Sequence, residues 1–169
     1  MSEDQGNTSP NIIIKSTRFG ELEVPANSII EFPTGLIGFP KAHRFVMFDH
    51  KAPFSWLHSV EDANLAFVVV DGFHFTQQFE LPAPFGDKDI DLLPDDEYAI
   101  LVIVTVRADP KLTTANIKAP LFVNLKNRRG LQIIYDSPAL STRQPMWTEA
   151  TEPGPDTGSN SGSGGSQAG

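Results

Sequence analysis

The chain has no cysteine among its 169 residues. Disulfides, thiolate zinc centres and cysteine nucleophiles are therefore excluded, and the composition agrees with a reducing compartment. No stretch approaches the roughly 18 apolar residues of a membrane-spanning helix. The opening residues, MSEDQGNTSPN, lack the basic and apolar segments of a secretory signal, so a cytoplasmic protein is expected. Positive charge is also scarce. Thirteen Lys and Arg stand against 21 Asp and Glu, a formal net charge of -8. Duplex affinity comes largely from neutralising phosphates with Lys and Arg, so direct nucleic-acid binding is disfavoured. A basic protein surface is the more natural partner.

Familiar catalytic and ligand-binding patterns are missing too. The four histidines, His43, His50, His58 and His74, form no HxH or HxxxH pair and no His-Glu motif. Those within apparent strands, His58 and His74, are expected to face solvent or the core edge. Asp87-x-Asp89-x-Asp91 resembles the start of an EF-hand loop, but the glycine and final glutamate of that loop are missing. Solvated turn carboxylates are the better account of these residues, and an acidic docking surface is the functional alternative. Gly35-Leu36-Ile37-Gly38 is followed by no Lys-Ser/Thr and enters no helix, so it is not a phosphate cradle. Nothing pairs a nucleophile with a base. No enzyme, metal or cofactor is expected.

What the chain does contain is short apolar segments separated by turn residues. The most informative runs from Thr113 to Tyr135. Pro120–Leu125 reads as a strand, Lys126-Asn127-Arg128-Arg129-Gly130 as a charged turn, and Leu131–Tyr135 as the returning strand. Gly130 is expected to supply the positive φ that closes the turn. Strands are also expected at Ile12–Thr17, Leu22–Val24, Ser28–Phe32, Arg44–Phe48, Phe54–Val60 and Leu65–Val70, resuming at Phe73–Thr76. Tyr98–Val106, dense in β-branched residues, gives the strongest strand signal. In the loop Pro33–Pro40, Leu36, Ile37 and Phe39 are expected to plug against the core. Asp87–Asp96 is the one plausible helical passage, cut short by Pro94. These features predict an all-β, small antiparallel barrel-like fold with at most one short helix. A flexible leader is expected over 1–11, one domain over 12–147, and a disordered Ser/Gly-rich tail over 148–169.

Three segments resemble one known family. Phe32-Pro33-Thr34-Gly35-Leu36-Ile37-Gly38-Phe39 is similar to the F-P-x-G-(L/I)-x-x-F loop of the FliW flagellar assembly factors. Leu57–Asp62 and Leu65–Val69 resemble that family's L-x-S-V-E-D and L-x-F segments. Thr113–Pro120, with Asn124, Lys126-Asn127-Arg128 and Gln132, is similar to its T-x-N-L-x-(A/G)-P, N-x-K-N-R and Q signature. The three occur in the family's order and span about Ile12 to Met146. Gly72-Phe73 replaces the family's frequent Pro-Phe, and Phe79-Glu80 replaces its Tyr-Glu.

The resemblance implies a β-barrel-like protein without enzymatic activity that binds newly made flagellin in the cytoplasm. It also implies binding to CsrA, a translational regulator that represses flagellin messenger RNA. Flagellin would then titrate the factor away from CsrA. A monomer is expected when the protein is free. The candidate contact residues are Glu61, Asp62, Asp71 and Phe73, expected as one acidic-aromatic rim, and Asn116, Lys126, Asn127 and Arg128 at the other motif. Turn geometry and solubility would explain the same residues. A runner-up of another class is a small ligand carrier or enzyme with an apolar pocket inside the barrel, lined by Phe67, Phe73 and Phe75. A third is a module that captures an extended peptide on an exposed strand edge.

Overall fold

Alternating residues become strands with two distinct faces. The computed structural model describes residues 10–147. The strands are β1 (Asn11–Ser16), β2 (Gly20–Pro25), β3 (Ile30–Glu31), β4 (Arg44–Asp49), β5 (Phe54–Ser59) and β6 (Ala66–Asp71). They continue as β7 (Tyr98–Thr105), β8 (Thr114–Ala115), β9 (Leu121–Asn124), β10 (Arg129–Gln132) and β11 (Gln144–Pro145). A seven-strand barrel closes in the order β3-β4-β5-β6-β7-β9-β10 and back to β3. Its pairings are antiparallel except the β10–β3 contact between Arg129 and Glu31. Beyond its β9 contact, β7 pairs with β8, which in turn pairs with β11. The expected all-β barrel is what the chain forms. The leader and tail lie outside the described residues, except that Asn11 already opens β1 and Pro10 accepts from the amide of Ala26 at 2.8 Å.

Cross-strand register sorts the side chains into two cores. Phe45, Leu57, Val69, Leu101, Leu121 and Val123 point inward and fill the barrel together with Ile30 and Phe32. The residues between them point outward. Val70, Ile100, Val102, Val104 and Phe122 are buried in a second core outside the barrel. Its cover is irregular chain: Phe75, Leu81, Ile90 and Leu92 from the β6–β7 connection, and Leu140 and Met146 from the C-terminal segment. The outer face of β4 and β5 is covered instead by the β1–β2 hairpin. Phe19 at its tip lies edge-on to Phe48 and Trp56, with centroids 5.2 and 5.3 Å apart.

Several local expectations fail for physical reasons. Phe73–Thr76 does not resume a strand. The Asp71 carboxylate accepts from the Phe73 amide at 2.9 Å and caps a 3-10 turn over Gly72–Phe75. Asp87–Asp96, where a short helix at most was expected, forms none, and its turns are closed by Asp91 N–H donating to Asp87 at 2.8 Å and Asp96 N–H donating to Leu93 at 2.9 Å. The Ile90 carbonyl is taken by the side-chain amides of Asn124 and Asn127, each at 2.9 Å. Of the three residues expected to plug the loop after β3 against the core, only Leu36 is buried, whereas Ile37 and Phe39 are 51% and 41% exposed. The β9–β10 turn also differs from expectation. Its positive φ, 57°, belongs to Arg128, while Gly130 lies within β10 opposite Val123. A Cβ on Gly130 would lie 2.8 Å from two ring atoms of the buried Phe32, so close packing fixes glycine there.

Candidate functional site

The candidate residues fall at four separate turns. Glu61 and Asp62 form the β5–β6 turn, where Ser59 Oγ accepts from both their amides at 3.1 and 2.9 Å. Asp62 closes the turn by accepting from Asn64 at 2.9 Å. Glu61 reaches back to Arg44, with a 2.7 Å contact from Nε to Oε2. These two acids wall a groove of about 330 Å³ whose apolar side is Phe39, Ala42 and Leu65. Phe39 is steadied edge-on against Phe67, centroids 5.5 Å apart.

The loop that presents Phe39 is held by backbone geometry. Leu36 and Phe39 exchange amide–carbonyl bonds of 3.1 and 2.7 Å. Gly35 has φ +72°, and a Cβ there would meet the Pro40 carbonyl oxygen at 2.5 Å. Gln132 then locks the loop to the rest of the barrel. Its Oε1 accepts from Ile37 N–H at 2.8 Å, while its Nε2 donates to the Ala119 carbonyl at 3.0 Å. Two segments far apart in sequence, the proline-glycine loop and the Thr113–Gln132 signature, are thereby joined.

Asp71 and Phe73 do not share that groove. They follow β6, whereas Glu61 and Asp62 precede it, so a six-residue strand of about 17 Å separates the pairs. The expected single rim is therefore two surfaces. Phe73 packs on Tyr98, with centroids 5.7 Å apart.

The second expected set is divided as well. Asn116 lies just after β8, beside the end of β7, and accepts from Ala119 N–H at 3.2 Å. Lys126, Asn127 and Arg128 lie at the β9–β10 turn, near the start of β7. Lys126 is the exposed charge of this set, its side chain 69% exposed and its Nζ paired with Asp96 at 3.6 Å. Arg128 donates to the carbonyls of Ser28 and Ile29 at 2.9 and 3.4 Å. Asn127 holds Ile90 and also accepts from Arg129 at 3.0 Å. Asn124, fully buried, holds the carbonyls of Ile90 and Asp91 and accepts from Lys126 N–H at 2.9 Å. The Asn-x-Lys-Asn-Arg run thus fastens the irregular cover onto the barrel. Its abundance of donors was visible in the sequence, but their carbonyl targets, more than 30 residues distant, were not.

His58, expected to face solvent or the core edge, is buried. Its Nδ1 lies 2.8 Å from the Ser59 carbonyl, which can only accept, so Nδ1 carries the proton. Nε2 then accepts from the Ser16 hydroxyl at 2.9 Å. Ser16 Oγ in turn accepts from the amides of Arg18 and Phe19 at 3.1 and 3.0 Å. This cluster fastens the β1–β2 hairpin to β5. Among the described residues no three His, Cys, Asp or Glu side chains converge as metal ligands would, and no helix is long and apolar enough to cross a membrane. The imagined internal pocket is also taken apart. Phe75 is buried in the outer core, Phe67 packs against Phe45 of the inner core, and Phe73 faces outward at 44% exposure.

Comparison with known proteins converges on one family. The FliW protein family model matches residues 13–146. A flagellar assembly factor FliW of Caldicellulosiruptor saccharolyticus is 35% identical over 127 residues, covering 73% of this chain and 83% of the relative. That of Natranaerobius thermophilus is 36% identical over 140 residues, covering 80% and 93%. A crystal structure of the flagellar assembly factor FliW superposes with a TM-score of 0.73 at 27% identity, covering 83% of this chain and all of that one.

Proposed function

Because the chain belongs to the FliW family of flagellar assembly factors, we propose that it is a cytoplasmic, non-catalytic binding protein. In this role it holds newly made flagellin and antagonises the RNA-binding regulator CsrA, so that flagellin translation follows export. The observation that carries this reading is the division of labour between interior and surface. The barrel is filled by its own side chains, while Phe39, Phe73 and Phe85 stand 41–44% exposed, Phe39 in the groove of Glu61 and Asp62 and the other two each two residues from an aspartate. Apolar side chains exposed in an acidic setting suit protein docking better than small-molecule capture. CsrA must present basic residues to RNA, which makes an acidic partner electrostatically apt.

Glu61, Asp62, Asp71, Phe73 and Lys126 are the contact residues we assign to this role. Asn116, Asn127 and Arg128 would serve it indirectly, by shaping the loops between them. Gel filtration of the purified protein with CsrA, repeated with flagellin added, tests the proposal. Co-elution with CsrA that flagellin displaces is the expected result. Co-elution with neither would overturn it, and binding to flagellin alone would reduce the role to that of a chaperone.

A further inference from the structure

The irregular cover of the outer core presents a surface unlike the rest of the molecule. Tyr98, at the start of β7, has the ring of Phe73 at 5.7 Å and that of Phe85 at 5.9 Å. Phe73 and Phe85 are each 44% exposed, so the three rings form a continuous aromatic ledge open to solvent. Exposed Leu125 adjoins it, its amide donating to the carbonyl of Glu97 at 3.2 Å. Leu93, 51% exposed, lies on the same cover.

Charge is segregated around this ledge. Residues 71–98 contain eight carboxylates and one lysine, and so hold seven of the chain's eight net negative charges. Some of these acids serve the backbone. Asp71 accepts from Phe73 N–H and Asp87 from Asp89 N–H, while Asp96 faces Lys126. Asp91, Asp95 and Glu97 are exposed. An apolar ledge within a negative field selects its partner by sign. It repels nucleic acid and anionic lipid, and it attracts apolar side chains that arrive flanked by cations.

We propose that the Phe73–Tyr98–Phe85 ledge is a docking surface for a basic protein segment in which Lys or Arg flank large apolar side chains. The groove beside Phe39 offers no such selection, because Lys41 lines it together with Glu61 and Asp62, and Glu61 is already paired with Arg44. The two ends of the molecule therefore differ in what they accept. This assignment deepens the proposed function, which already counts Asp71 and Phe73 among its contacts, and the peptide test uses neither CsrA nor flagellin, so it can fail independently of that reading.

The test is an amide-resolved NMR titration of the full-length protein with two amphipathic peptides of about 18 residues, five helical turns. They share one leucine pattern and carry either lysine or glutamate between the leucines. The lysine peptide is expected to shift the amides of Phe73, Phe85, Glu97, Tyr98 and Leu125, and the glutamate peptide to shift none of them. Phe73→Ser with Phe85→Ser should weaken lysine-peptide binding about tenfold or more, as loss of exposed aromatic anchors does. Asp91→Asn, Asp95→Asn and Glu97→Gln together should weaken it several-fold and flatten its salt dependence. Asn suits position 91, whose φ is +53°. The paired change Ile37→Ser and Phe39→Ser at the other end should leave affinity within about twofold. Shifts centred on Ile37–Lys41, equal binding of the glutamate peptide, or no binding up to about 1 mM would overturn the proposal. Unmoved amides elsewhere in each variant show that it is folded.

Discussion

The barrel's two outer flanks are covered by different means. Over β4 and β5 lies a regular ribbon, the β1–β2 hairpin, fastened by the Ser16–His58 hydrogen bond and the Phe19 stack. Over β6, β7 and β9 lies irregular chain, fastened by buried Ile90 and Leu92 and by side-chain amides that capture its carbonyls. Among the described residues the strands of the hairpin pair only with each other, so it can lift while the barrel stays closed. The irregular cover is the connection between β6 and β7, neighbours in the barrel, so it cannot leave without disturbing both. Regular structure is thus not the more indispensable of the two. Local opening should begin at the hairpin.

The largest effect is expected from the irregular side. Leu92 is fully buried with Ile90 and Phe122 in the outer core. Leu92→Ala should destabilise the whole fold by about 2–5 kcal/mol, the range for a buried leucine whose cavity cannot collapse. Urea unfolding followed by both Trp fluorescence and far-UV circular dichroism would show one shared, lowered midpoint. Two separated transitions would mean that this cover also opens independently, and the contrast between the flanks would collapse.

A smaller and more local effect is expected from Ser16→Ala. The substitution leaves His58 Nε2 without its donor and the Arg18 and Phe19 amides without their acceptor. Leaving buried polar groups unpaired costs about 1–3 kcal/mol. Hydrogen exchange should accelerate across β1 and β2 while the amides of β7 keep their protection. If β7 loosened equally, the hairpin would belong to the same cooperative unit as the barrel.

How much of this was readable in advance also follows the two flanks. The β4–β7 strands were legible because the alternation at 44–48, the aromatic and β-branched content at 54–60, the apolar run at 65–70 and the β-branched run at 98–106 are local signals. The outer core was not, because Leu81, Ile90 and Leu92 stand among prolines and aspartates with no period of either 2 or 3.6. Their burial depends on Asn124 and Asn127, residues that a local reading takes for solvated turn. Gly130 shows the same limit. A glycine near a turn suggests positive φ, yet its reason here is the ring of Phe32, nearly a hundred positions earlier. At the site, the Glu61-Asp62 turn was found where expected, but its separation from Asp71 and Phe73 required the strand between them to be placed.

Tyr135 offers the finest test of the comparison, because it joins two pieces of irregular cover. Its hydroxyl donates to the Pro82 carbonyl, and its own amide donates to Lys118 at 2.9 Å. Burial, with a smaller contribution from Tyr98, pushes its phenol well above the ordinary value near 10. The neutral phenol is therefore favoured in the folded state. That contribution is complete below about pH 10, where the unfolded phenol is also neutral, and is lost as pH climbs from there toward the raised folded value. Tyr135→Phe should cost about 0.5–1.5 kcal/mol at neutral pH, through loss of one hydrogen bond. Above pH 10 the gap between wild type and variant should narrow, because only the wild type has a phenol that ionises more readily once unfolded. Urea midpoints measured from pH 7 to 11 would show the two curves converging. Parallel curves would mean that burial does not hold Tyr135 neutral, and that this part of the cover is looser than the packing around Leu92.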